Sequence, residues 1–231
     1  MSTSKPVKKA IVFSNEAIRW LVAFITFALP ILVTILSFTR LSSISASYYT
    51  GARDVFVGLL FVLGSFLLVY KGHSRREDWI ANLGGVAAIL AAIFPTLCDS
   101  CPVTPIAYIH AIAGNVLFLV TAYFCLGPFR QAAITKPWPK AQRRASFYAI
   151  CGYSIIACIV ILLIIGFAAT AEFKKTWTPV FWGELLMLWI FSAAWAVAAK
   201  WIPWFTDRKK DNPLNLSREF QLPLIDKPGI K

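Results

Sequence analysis

Four ionisable side chains stand at the heads of otherwise apolar runs and could do chemistry: Arg53, Asp54, His110 and Glu184. Arg53 and Asp54 follow the polar stretch Ser45-Ala46-Ser47-Tyr48-Tyr49-Thr50-Gly51-Ala52 and open a long hydrophobic segment. His110 lies just past Pro105, and Glu184 sits in Phe181-Trp182-Gly183-Glu184 at the start of the last such segment. Asp, Glu and neutral His can hold a zinc ion that lowers the pKa of its bound water, so Asp54, His110 and Glu184 are one candidate metal and catalytic set. Without a metal, Arg53 would recognise a phosphate or carboxylate, Tyr48 and Tyr49 would form the rim, and His110 and Glu184 would carry protons. No HExxH, GxSxG or histidine-rich cluster accompanies them, and the other histidine, His73, belongs to a solvated basic loop. The zinc pattern is therefore sparse.

Each residue also has a plainer reading. Asp54 in a first helical turn complements the helix dipole while Arg53 reaches lipid headgroups. A lone intramembrane His is commonly a hydrogen-bonded structural residue. A carboxylate at the depth of Glu184 costs a few kcal/mol unless it is paired, protonated or facing a polar cavity. The functional reading needs Asp54, Gly58, Phe61 and Ser65 to form an inward stripe. It sets His110 on a packing face with Ala107, Ala113 and Gly114, and Glu184 on a stripe with Ser192 and Trp195. Cys98-Asp99-Ser100-Cys101 adds a pair that reads as a local disulfide or free thiols, because no second pair is present to relay electrons. Cys125, Cys151 and Cys158 read as small apolar fillers.

The elements that must position these groups are membrane helices. Hydrophobic residues make up 58% of the chain and charged residues 15%, against about 45–50% and about 25% in soluble domains. Six continuous apolar runs lie near Trp20–Phe38, Val55–Tyr70, Trp79–Phe94, Ile106–Leu126, Phe147–Ala169 and Val180–Ala199. Each approaches the roughly 20 residues needed to cross a bilayer. Their unbroken apolarity favours helices over an alternating barrel. The net charge of +12 sits in loops and tails, which argues for the positive-inside bias and against nucleic acid as a partner. With both termini cytoplasmic, the outer loops carry only Arg40, Arg53, Lys174 and Lys175.

The expected organisation is a basic arm (1–16), an all-α six-helix transmembrane domain (17–205) and a polar cytoplasmic tail (206–231). Met1–Ala10 is basic, but no cleavage site follows it. The small residues Gly84, Ala88, Ala91 and Ala92 mark the third helix as a packing centre. Trp177, Trp182, Trp201 and Trp204 read as interfacial aromatics, and Arg208-Lys209-Lys210 suits anionic headgroups.

The run Tyr48-Tyr49-Thr50-Gly51-Ala52-Arg53-Asp54-Val55-Phe56-Val57-Gly58, followed by Phe94-Pro95-Thr96, His110 and Phe181-Trp182-Gly183-Glu184, resembles an uncharacterised family of bacterial six-span inner-membrane proteins. It is also similar to the wider DRAM/Frag-like six-transmembrane families, in which a polar loop follows the first helix and a histidine opens the fourth. The resemblance covers most of residues 17–205 and implies the fold and topology. Relatives in the wider set are associated with lipid remodelling, which implies a lipid-facing role. Membrane zinc hydrolases of the alkaline ceramidase type also set Ser, Asp and His in a bundle, but this chain lacks their multiple histidines.

Three functions follow. The first handles or modifies a lipid or amphiphile in an outer-leaflet pocket built from Arg53, Asp54, His110 and Glu184, with membrane lipids as partners. The second is a non-catalytic membrane scaffold or stress-response partner. The third is a small transporter or channel, for which Asn82, Asn115, Thr121 and Ser154 are few and scattered.

Overall fold

The long apolar runs become helices because lipid leaves no other partner for their backbone groups. The computed structural model describes residues 15–97, 105–200 and 202–206. The basic arm, nearly all of the tail and the Cys98–Cys101 loop lie outside the described residues, and the proposed disulfide with them.

Among the described residues every regular element is helical. They are α1 (Asn15–Leu36), a 3-10 turn (Ser45–Tyr49), α2 (Arg53–Val69), α3 (Arg75–Ile93), α4 (Pro105–Phe124), a π-turn (Cys125–Phe129), α5 (Arg130–Ile134), α6 (Pro139–Ala168), α7 (Ala171–Trp177) and α8 (Pro179–Ala198). Four stretches are long and apolar enough to cross a membrane: Asn15–Leu36, Tyr108–Ile134, Pro139–Ala168 and Pro179–Ala198. The remaining two expected spans are shorter or more polar, since α2 has 17 residues and α3 opens on Arg75-Arg76-Glu77-Asp78.

Local chemistry sets several boundaries. Ser74 caps α3 by accepting from the Glu77 N–H at 3.2 Å, and Glu77 returns an oxygen to the His73 N–H at 2.9 Å. Pro139 and Pro179 sit in the first turns of α6 and α8, where no amide donor is missed. Pro128 falls inside the π-turn, where the helical ladder is already shifted. Hydropathy alone misplaces the helix ends. The first helix is already formed at Asn15, the first described residue, and takes Arg19 into the bundle. The fourth continues through the π-turn to Ile134, and α6 begins at Pro139, not Phe147.

The long helices form a closed ring in the order α1, α2, α3, α4, α6, α8, with α8 packed back on α1. The axis is filled near one end by Trp195, which is fully buried against Tyr70, Phe124, Phe129 and Phe191 at ring-centroid distances of 5.3, 5.7, 5.4 and 5.9 Å. The small face of α3 packs on both sides as its sequence implies. A Cβ on Gly85 would lie 2.8 Å from the Gly64 carbonyl of α2, and one on Gly84 would lie 2.9 Å from Val120 of α4.

The expected inward stripe of α2 is not the one that turns inward. Phe56, Leu60, Leu63 and Leu67 are buried, while Asp54, Gly58, Phe61 and Ser65 are exposed on the outer surface of the ring. Burying three Leu and a Phe against neighbouring helices gains far more packing than burying a Gly and a Ser. Ser65 meets its hydroxyl requirement locally by donating to the Phe61 carbonyl at 2.8 Å.

Gly64→Val is expected to lower the melting temperature of the purified protein, since overpacking such a contact costs about 1–3 kcal/mol. Gly114→Ala, with nothing within 4 Å of the added Cβ, is expected to leave it unchanged. Thermal unfolding in detergent measures both.

Candidate functional site

At one end of the ring the segment between α1 and α2 folds over the start of α8. Leu41 and Ile44 are buried and anchor it by apolar contact. The Ser42 carbonyl accepts from the Phe181 N–H at 3.1 Å, which occupies one of the unpaired amides at the N-terminus of α8. One turn further on, Glu184 accepts from the Ser45 backbone N–H at 3.1 Å and from the Ser45 hydroxyl at 3.2 Å, one bond to each oxygen. Both carboxylate oxygens are thus engaged by a single residue of the loop.

The same loop ties down the end of α3. The Ser45 hydroxyl also lies 3.3 Å from the Thr96 hydroxyl, and the Tyr49 hydroxyl donates to the Thr96 carbonyl at 2.6 Å. His110 approaches this segment from α4 and is 6% exposed. Its Nδ1 lies 2.8 Å from the Ala91 carbonyl and 2.9 Å from the Phe94 carbonyl. Carbonyl oxygens only accept, so Nδ1 carries the proton. The imidazole therefore closes the last turn of α3, satisfying carbonyls that the helix end leaves without a partner. On its interior side it meets Phe56 of α2 at 6.3 Å between rings.

Arg53 lies over the Tyr48 ring at 4.6 Å and donates to the Tyr48 hydroxyl at 3.1 Å. This cation–π contact folds it back on its own loop. Asp54 is exposed on the outer surface of α2.

The expected constellation thus separates into local arrangements. Glu184 and His110 are joined only indirectly, through Ser45, Thr96 and the Phe94–Thr96 segment. Asp54 stands apart because Phe56, two residues on and about 200° around the helix, takes the inward direction. None of the ion pairs among the described residues involves Arg53, Asp54, His110 or Glu184. Among the described residues no three His, Cys, Asp or Glu side chains gather where they could hold a metal ion, so Asp54, His110 and Glu184 do not form the expected zinc set.

Sequence reasoning missed two polar residues inside the opposite end. Arg19 of α1 lies over the rings of Tyr70 and Phe129 at 5.5 and 5.6 Å, and donates to the Tyr70 hydroxyl at 2.9 Å and the Ala198 carbonyl at 3.2 Å. Arg144 of α6 is 5% exposed and donates to the Phe205 carbonyl at 2.6 Å. Both sit beside hydropathy boundaries, where a basic residue reads as an interfacial flank. The available signal was the buried helical register of each, with Ile18 and Val22 around Arg19 and Ala141, Ala145 and Tyr148 around Arg144.

No protein-family model, curated protein or solved structure matches the chain.

Proposed function

We propose that the protein is a six-span inner-membrane protein that works as a non-catalytic scaffold or partner, with its intramembrane polar residues spent on holding the bundle together. The observation that carries this reading is the engagement of Glu184 by Ser45 and of His110 by the α3 carbonyls. Groups committed to the protein's own backbone at both ends of a loop-to-helix network act as fasteners. The aromatic filling around Trp195 closes the ring axis and weighs against a transport path.

The ring supports a reading with six spans. The helices α2 and α3 are flanked by α1 and α4, each of which belongs to a stretch long and apolar enough to cross a membrane, and this supports counting them as spans. At 1.5 Å per residue α2 spans roughly 26 Å, close to the hydrocarbon thickness of about 30 Å. Arg19, Lys71, Arg75, Arg130, Lys136, Arg144 and Lys200 collect at the end opposite Glu184, which supports placing that end and both termini in the cytoplasm.

Neutralisation separates this reading from a lipid-modifying pocket. Glu184→Gln and His110→Ala are expected to lower the melting temperature, each by the loss of bonds worth about 1–3 kcal/mol, while Asp54→Asn leaves it unchanged. Full stability in the first two would mean that the polar groups are kept for something other than the fold, and would contradict the proposal.

Side-specific labelling checks the topology in a variant without the native cysteines. A Tyr49→Cys variant is expected to react with an impermeant maleimide in intact cells, and a His73→Cys variant only after permeabilisation.

A further inference from the structure

The outer surface of the ring is largely apolar. Phe24 and Phe27 of α1, Val86 of α3, and Val160 and Ile161 of α6 are exposed there and suit lipid. Asn115 of α4 breaks the pattern. The buried side of α4 is Ala113, Leu117, Val120 and Phe124. Asn115, two residues from both Ala113 and Leu117, is exposed and points the opposite way. It comes ten residues after Pro105 at the start of α4, roughly 15 Å along the axis. That depth is about halfway through a hydrocarbon layer of about 30 Å. Tyr108, Ile112 and Leu119 are exposed on the same face, and the half-buried Ala111 lies one turn before Asn115.

A carboxamide has two N–H donors and an acceptor oxygen to place. Among the described residues Asn115 makes one hydrogen bond, donating to the Ala111 carbonyl at 2.8 Å. Ser65 on the outer surface of α2 has one donor, and the Phe61 carbonyl takes it at 2.8 Å. Asn115 keeps a second N–H and its oxygen on the open side, where lipid offers neither of them a partner.

We propose that two copies of the chain pair through this face of α4, their Asn115 side chains hydrogen-bonded to each other across a two-fold axis. The open edge of the carboxamide is positive at its N–H and negative at its oxygen. It is therefore complementary in charge to the same edge on a second copy, each donating once and accepting once. Both copies insert the same way up, so the axis runs along the bilayer normal and the two α4 helices run parallel. Apolar contact alone gives membrane helices little drive to associate. Polar side chains that bond across the contact, and small residues that let the backbones approach, select it. Asn115 supplies the first and Ala111 the second, while Leu119 continues the seam one turn on. The inference rests on the reading of α4 as a membrane span.

The test uses the full chain without its native cysteines, in isolated membranes. Ala111→Cys and Leu119→Cys, introduced one at a time and oxidised, are each expected to give a disulfide-linked dimer. Val62→Cys on the outer surface of α2 and Ile161→Cys on that of α6 are expected to give none. Energy transfer between labelled copies in liposomes, diluted with lipid, measures the association. Asn115→Leu is expected to weaken it about three- to thirtyfold, the range for an interhelical hydrogen bond. Asn115→Gln, which keeps the carboxamide, is expected to retain most of it. Resistance to alkaline carbonate extraction tests the membrane reading separately. A chain that stays in the membrane without pairing overturns this proposal alone, whereas a chain that carbonate releases overturns the span reading with it. A dimer that Asn115→Leu leaves undiminished also overturns the proposal, as does cross-linking of Ala111→Cys to a different protein in place of a second copy.

Discussion

A carboxylate placed inside an apolar helix has to be met by donors, and in this protein Ser45 meets it. The backbone N–H and hydroxyl of that residue reach the two oxygens of Glu184. This requirement fixes the path of the whole connection between α1 and α2. With Ser45 held, Ile44 is buried beside it, the 3-10 turn brings Tyr49 to Thr96, and the α3 end is positioned for His110. The loop therefore links α8 to α3 across one end of the ring.

The opposite end solves a different problem. Its polar groups include cations that carbonyls and aromatic faces hold, while Lys71, His73 and Lys200 meet Asp78, Glu77 and Glu16. Arg19 uses Tyr70, Phe129 and Ala198; Arg144 uses Phe205; Lys140 donates to the Pro203 and Thr206 carbonyls at 3.1 and 3.0 Å. The consequence is one end built on a carboxylate and its donors and another built on basic groups held in place, separated by the aromatic filling around Trp195.

The helices were legible because span-length apolar runs admit few folds, and the small-residue face of α3 was legible because glycine and alanine repeats have one main use between helices. The inward side of Glu184 and His110 was also readable, from Ser192 and Trp195 in one case and Ala113 in the other. The orientation of Asp54 was not. It depended on the competition between two stripes of α2, and the heavier stripe through Phe56 and Leu60 won. The partners of the polar residues were hidden for another reason: Ser45, Thr96 and two carbonyls of α3 lie far from Glu184 and His110 in the chain, and backbone acceptors leave no mark in side-chain patterns. Arg19 and Arg144 were hidden because charge breaks a hydropathy window even where the helix runs on.

The direct test of the account is a double-mutant cycle on Ser45→Ala and Glu184→Gln, read by equilibrium unfolding in detergent or bicelles. The account predicts a coupling energy of about 1–3 kcal/mol, the range for a hydrogen bond to a carboxylate in a water-poor site. Additive effects, with no coupling between the two positions, would contradict the claim that this contact organises the loop and the helix ends it joins.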